Sequence, residues 1–278
     1  MTDDAAEIIG GISTGVSEEI DMAFAFLDDI LYARVFDTDR YVFPLPFMLS
    51  KGADLTGACL NLSLYTRRYM LPLIISDIPR EELSVVTDLF PHVDAWCYED
   101  DDDSFFVRVK NECDMLDLVP ELDFSGITLT ELRESDNELY AELCRDRELN
   151  EYWGYDVDVD NPDGDIDFYL DTARREFDEG IALTLAVRDN DRLVGEATIY
   201  DFDYRGSAEI AVRILPSASG RGYGSLATEA LIALAREIGL SRLYAEIMEE
   251  NQASIKMTSK YMQRVNTENG KVKFALSL

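Results

Sequence analysis

Histidine is nearly absent from this chain of 278 residues, which has one, His92. The four cysteines, Cys59, Cys97, Cys113 and Cys144, include no CxxC pair. A Cys/His metal centre therefore lacks a ligand set, and a scatter of reduced thiols is the reading that remains. A Ser-His-Asp or Cys-His mechanism could draw only on His92, inside the apolar-flanked segment LFPHVDAW. Long apolar runs are missing as well: stretches such as 41–50 and 71–76 fall well short of the ~18–20 residues of a membrane helix. The acidic start, MTDDAAEII, has no basic n-region, so no secretory signal is expected and the location expected is cytoplasmic. Positive charge is scarce, with 25 Lys and Arg against 56 Asp and Glu, a formal net of −31. Such a chain repels nucleic acid and anionic membrane over most of its surface, so neither is expected as a partner.

What is present is an ordinary soluble composition, 47% apolar and 29% charged. At ~100–200 residues per domain this length suggests two domains. The charge is unevenly spread. From Arg205 onward ten basic residues outnumber seven acidic ones, so this stretch carries +3 and residues 1–204 carry −34. An electropositive quarter in so acidic a chain is what an anionic ligand requires. Pro120, Gly126 and several acids between two strand-like runs place a boundary near residue 122, giving domains 1–122 and 123–278.

The upstream part reads as mixed α/β. Residues 17–32 carry an apolar face at helical spacing (Ile20, Phe24, Leu27, Ile30, Leu31), with Ser17 as N-cap. Residues 42–45 and 71–75 read as strands, 55–69 and 79–90 as helices, and 94–98 and 105–109 as strands joined by the acidic tip EDDDD. A calcium loop there lacks the Gly and the terminal Glu of an EF-hand. Downstream, 135–149 reads as a helix with Ser135 as N-cap and Glu138 at capping-box distance, and 165–179 as another. Three strand-like runs follow, 182–187, 193–200 and 208–215, with turns at Asp189-Asn190-Asp191 and Tyr204-Arg205-Gly206: an antiparallel meander. Then come a glycine-rich loop, a helix over 223–238, a strand over 242–247, a helix over 252–262 and a last strand over 272–276.

The loop Ser217-Ala218-Ser219-Gly220-Arg221-Gly222-Tyr223-Gly224-Ser225 joins a strand to a helix. Three glycines in five residues let a ligand approach the backbone. The first helical turn has N–H groups without intrahelical partners, and the positive end of the helix dipole lies behind them. Arg221 adds a guanidinium suited to phosphate. The pattern is neither a Walker loop nor a dinucleotide fingerprint. The alternatives are a phosphate cradle and a plain tight turn. Downstream, Asn251 stands at an N-cap position, and Asn251, Ser254, Thr258 and Tyr261 would form a polar stripe on one side of the 252–262 helix, suited to lining a cleft.

That order of elements, with Ser219-Gly220-Arg221-Gly222-Tyr223-Gly224 and Asn251-x-x-Ser254, resembles the GNAT superfamily of N-acetyltransferases over residues 126–278. The run Arg147-Glu148-Leu149-Asn150-Glu151-Tyr152-Trp153 is similar to an aromatic segment of the branch that acetylates ribosomal-protein N-termini. The resemblance implies a mixed, mostly antiparallel central sheet flanked by helices, preceded by an N-terminal α/β domain. It implies acetyl-CoA as cofactor and direct transfer of acetyl to a primary amine, on a small molecule or a peptide, in a ternary complex. Gly220, Arg221, Gly222, Tyr223, Gly224 and Ser225 would hold the pyrophosphate. Main chain at Ile214 and Leu215 would pair with the pantetheine, as would Asn251 and Ser254, and Lys256 or Lys260 would reach the 3′-phosphate. At the reaction itself stand Glu209 as base, Asn251, and Tyr261 as acid. Thr258 occupies the place of the family's usual tyrosine, so Tyr261, one turn on, is expected to substitute. Met262-Gln263 replace the usual Gly-Phe. Glu151, Tyr152, Trp153 and Tyr155, with the acidic loop 156–167, would line the acceptor side. No metal site is expected.

The first half also resembles, faintly, a degenerate GNAT-like half of a tandem-GNAT protein, through Tyr41-Val42-Phe43-Pro44-Leu45-Pro46 and Leu71-Pro72-Leu73-Ile74-Ile75. It reads as a lid, a pairing surface or an acceptor-recognition domain. Two other functions stay open at this level: an acyl-CoA-binding regulatory protein that has lost its acid, and aminoacyl transfer of the tandem-GNAT type, against which the −34 outside the last quarter argues.

Overall fold

The computed structural model describes residues 42–44, 55–57, 59, 63, 73–98, 101–153 and 161–278. The helix expected over 17–32 lies outside them. Within the one expected over 55–69, residues 55–57, 59 and 63 are helical. Two compact units divide the chain, Met1–Asn111 with Asp203–Arg205, and Glu112–Phe202 with Gly206–Leu278, so the division falls upstream of residue 122.

In the first unit four strands, β1 (Val42–Pro44), β2 (Leu73–Pro79), β3 (Val93–Tyr98) and β4 (Asp101–Val109), lie in the order β1-β2-β4-β3. β1 and β2 are parallel, and the other pairs are antiparallel. Helix α1 (Arg80–Thr87) starts after Pro79, and Ile75, Ile78, Val86, Phe90 and Val107 are buried. Asp101, Asp102 and Asp103 belong to β4 rather than to a tip, because Tyr98 already pairs with Asp101. Asp103 pairs with Arg80 at 3.1 Å.

The second unit is built on an eight-stranded sheet. Its strands are β5 (Leu122–Phe124), β6 (Ile127–Thr130), β7 (Ala182–Asp189), β8 (Arg192–Tyr200), β9 (Ser207–Ile214), β10 (Arg242–Met248), β11 (Gln263–Glu268) and β12 (Lys271–Ser277). They lie in the order β11-β12-β10-β9-β8-β7-β6-β5, and every pair is antiparallel except β9 with β10. The fold is thus mixed α/β with a mostly antiparallel sheet, as expected. The meander runs by way of Asn190, whose φ of 54° suits an asparagine.

Helices α2 (Asn137–Arg145), α3 (Phe168–Asp178) and α4 (Tyr223–Glu237) pack on this sheet, and α5 (Gln252–Thr258) follows β10. α4 buries Ala227, Ala230, Leu231, Leu234 and Ala235, an i, i+3, i+4, i+7, i+8 stripe of mostly small residues that brings its axis close to the strands. β8 is buried along nearly its whole length, as a strand covered on both faces must be.

Two helix ends differ from expectation. A 3₁₀ turn (Glu134–Asp136) precedes α2, and Asp136, not Ser135, takes the capping place, accepting from the Arg133 N–H at 2.7 Å. α2 stops at Arg145 because the buried Asn150 amide donates to the carbonyls of Leu143, Cys144 and Asp146. The helix expected over 252–262 ends at Thr258, and Gln263 opens β11, a strand exposed at every position. No described helix is long and apolar enough to cross a membrane. Cys59, Cys113 and Cys144 are buried thiols outside any disulfide, and Cys97 is exposed.

Candidate active site

The site begins where two strands part. β9 and β10 are register partners only at Ser207–Arg242, Ala208–Leu243 and Glu209–Tyr244. Beyond Glu209, β9 continues to Ile214 against β8, while β10 continues to Met248 against β12. The strands open into a V with Glu209 at its apex. The Leu215 N–H donates to Val194 of β8 at 2.9 Å. By alternation, the N–H and C=O groups of Val212 and Ile214 face the gap. Ile214 is where the sequence places it. Leu215 is not: it is buried in the core and its N–H is already taken. Val212 was not singled out, because strand-edge polarity depends on register.

At the wide end of the V lies a cleft of about 290 Å³, lined by Ile214 and Ala218, by residues 219, 220 and 222–225, and by Ala253, Lys256, Met257 and Lys260. Gly220 (φ 75°) and Gly222 (φ 88°) are in the left-handed region, which explains their identity, since a Cβ at either would meet nothing within 4 Å. Gly222 is the N-cap of α4 and no side chain caps this end, so the first-turn N–H groups point toward the cleft. Arg221 is exposed and does not line it. The Tyr223 hydroxyl donates to Asp189.

Across the cleft, α5 presents Ala253, Lys256 and Met257, and the turn after it presents Lys260, not the expected polar stripe. Asn251 is the α5 cap, its Oδ1 accepting from the Ser254 N–H at 3.1 Å. Thr258 is buried. Tyr261, beyond the helix, donates its hydroxyl to Glu229 of α4 at 2.7 Å. The stripe lies one position out of phase because the helix seats its apolar edge and Lys256 over the glycine loop, with Lys260 following in the next turn. That arrangement sets two ammonium groups opposite uncapped N–H groups, a donor set for phosphate oxygens.

Neighbouring residues of β9 point to opposite faces of the sheet. Ile214 lies against Gly224 at the start of α4. Arg213 takes the other face and reaches the end of α2. It is buried and ion-paired with Glu196 (Nη2–Oε1 2.7 Å, Nε–Oε1 2.8 Å). It also donates to Asn150, approaches Cys144 Sγ at 3.3 Å, and covers the Trp153 ring at 4.1 Å. Trp153 therefore shields a buried ion pair. Glu151 and Tyr152 are exposed in the same turn, and Tyr155 lies outside the described residues.

Glu209 belongs to the Arg213 face. Its Oε1 accepts from the Glu246 N–H at 2.8 Å, tying the apex of the V. Burial, reinforced by the charges of Asp201 and Glu246, raises its carboxyl to about 7, against the opposing pull of the Glu246 N–H and the Tyr200 hydroxyl. The structure thus brings Glu209 to the apex and 219–225 to the wide end, where β9 finishes at Ile214, about 16 Å along the strand from Glu209.

Residues 127–261 match the family model described as an acetyltransferase (GNAT) domain. No curated protein matches this chain. Among solved structures, it is similar to spermidine N-acetyltransferase from Vibrio cholerae in complex with CoA and spermine. The identity is 17%, with 55% of this chain and 96% of that chain covered, at a TM-score of 0.47. It is similar to Mycobacterium smegmatis RimJ in complex with CoA-disulfide, at 17% identity over 60% of this chain and 90% of that chain, TM-score 0.49. It is also similar to an N-acetyltransferase from Staphylococcus aureus Mu50, at 21% identity over 55% and 99%, TM-score 0.45.

Proposed function

We propose, from the match of residues 127–261 to the acetyltransferase (GNAT) domain model, that the protein moves the acetyl group of acetyl-CoA to a primary amine within a ternary complex. The observation that carries the reading is the V between β9 and β10, with an anion-binding cleft at its wide end and a buried carboxylate at its apex. Acetyl-CoA is a polyanion with a long amide-bearing arm, and the donors fit it. N–H groups of the uncapped α4 end take the pyrophosphate, and Lys256 or Lys260 takes the 3′-phosphate. Val212 and Ile214 offer main-chain partners to the pantetheine amides. When bound, the thioester supplies an activated acyl carbon.

The chain's own part in the chemistry is proton transfer and orientation. An acceptor amine arrives protonated and must lose a proton before it attacks. Glu209, buried and hydrogen-bonded at the apex, is the base, directly or through water. Asp201 beside it favours a cationic acceptor, as does the chain's net charge of −31.

One observation favours a second reading, an acyl-CoA-binding domain without turnover. The Tyr261 hydroxyl is donated to Glu229 and does not line the cleft, and Thr258 is buried. Ligand titration followed by thermal unfolding tests the cofactor. Acetyl-CoA and CoA each raise the transition, by about 2.7 kcal/mol of stability at 100 times their Kd, while ATP at equal concentration does not. An unmoved transition with both CoA species overturns the cradle. Thiol release with a panel of primary amines then separates turnover from binding alone.

A further inference from the structure

The carboxylate at the apex of the V is held from both neighbouring strands. From β10, the Glu246 N–H donates to Glu209 Oε1 at 2.8 Å. From β8, the residue opposite is Tyr200. Tyr200 and Glu209 are register partners in an antiparallel pair, so their side chains leave the same face of the sheet, with Cβ atoms about 5 Å apart. The Tyr200 hydroxyl donates to the Glu209 carboxylate. Burial, and then the charge of Glu209, raises the phenol, so it keeps its proton and stays a donor. The partner of Tyr200 on β7 is Ala182, which makes no claim on the hydroxyl. Directly after Tyr200 the chain leaves β8 through Asp201, whose φ of 54° lies in the left-handed region.

A second tyrosine gives the contrast. Tyr244 is the partner of Glu209 on β10, but its hydroxyl accepts from Arg242 Nη1 at 3.2 Å, and its ring lies under Lys273 Nζ at 4.8 Å. The charges that bear on Glu209 are those of Asp201 and Glu246, while Lys271 and Lys273 of β12 pair with Glu246. We propose that Tyr200 is a positioning residue of the reaction, its hydroxyl fixing the Glu209 carboxylate at the apex of the V so that it can take the acceptor's proton. The inference rests on Glu209 being the base of the proposed function. Tyr200 acts through Glu209 and needs no contact with either substrate. A donor to a carboxylate favours its charged form. Without that donor the Glu209 carboxyl rises further above about 7, and less of it is ionised near neutral pH.

The test follows kcat/KM for a primary amine from pH 6 to 9, with the CoA thermal shift measured on every variant. Tyr200→Phe keeps the ring and removes the donor. The rising limb is expected to move up by about one pH unit, so that the rate falls about tenfold on the limb and returns to the wild-type value above it. The CoA shift is kept, which also reports a folded chain. Tyr244→Phe leaves the limb in place. In a Glu209→Gln background, Tyr200→Phe has no further effect. A limb that stays put, a loss equal at every pH, a lost CoA shift in Tyr200→Phe, or a loss that persists in the Glu209→Gln background overturns the inference and leaves the proposed function standing. A limb moved as far by Tyr244→Phe overturns it too. A CoA shift with no turnover of any amine by the wild-type chain overturns the proposed function, and this inference with it.

Discussion

Glu209 sits where its charge is expensive, and that sets a pH dependence. Burial and two neighbouring carboxylates raise its carboxyl from 4.5 to about 7, with the Tyr200 hydroxyl and the Glu246 N–H pulling the other way. A base works deprotonated. Activity against a fixed amine is therefore expected to climb as pH rises through about 7 and to level off above it, measured as kcat/KM. Glu209→Gln should flatten this limb, and a wild-type profile that is flat from pH 6 to 8 removes Glu209 as base. The sequence placed a carboxylate on the strand before the loop; its burial came only from the fold. A second buried acid has the opposite sign. Asp136 would be raised by burial, but hydrogen bonds and charge from Arg188 and Arg133 hold it below 3.8. Its stabilisation is thus full at neutral pH and is lost as pH falls below that value. Arg188 is 2% exposed. Asp136→Ala leaves its guanidinium buried without a counter-charge, at a cost of about 3–5 kcal/mol. Urea midpoints at neutral pH would check this, and an unchanged midpoint would mean that water reaches the pair.

Among elements, the start of α4 is the most legible in sequence and the end of the chain the least. Three glycines and a helix-forming run after them announce a strand-to-helix turn, since left-handed φ and helix propensity are local. Gly222→Ala should cost about 1 kcal/mol of stability through its positive φ alone. Gly222→Asp should add at least a tenfold loss of CoA affinity, about 1.4 kcal/mol, because a carboxylate then faces the phosphate site. Equal CoA affinity in the two variants would place the phosphates elsewhere. In α5 the cleft face is one position out of phase with the Asn-Ser-Thr-Tyr spacing: Asn251 caps and Tyr261 lies past the helix. β11 left no pattern to read. Gln263–Glu268 is polar and exposed throughout, with Val265 at 60%, and it is a strand only because β12 pairs with it.

For the whole molecule, the uneven charge pointed to an anion site, yet much of that positive charge is used internally. Arg213 is sealed against Glu196, and Lys271 and Lys273 pair with Glu246. Lys256 and Lys260 are the lysines that line the cleft. The sequence by itself determined the order of elements from β6 to α5, the glycine-rich turn and the carboxylate before it. Periodicity, glycine placement and charge are properties of a short stretch of chain. Only the tertiary structure decided where β9 and β10 part, which face each β9 residue takes, and which charges are neutralised. Register and burial depend on residues far apart in sequence, and a shift of one residue turns every side chain to the other face.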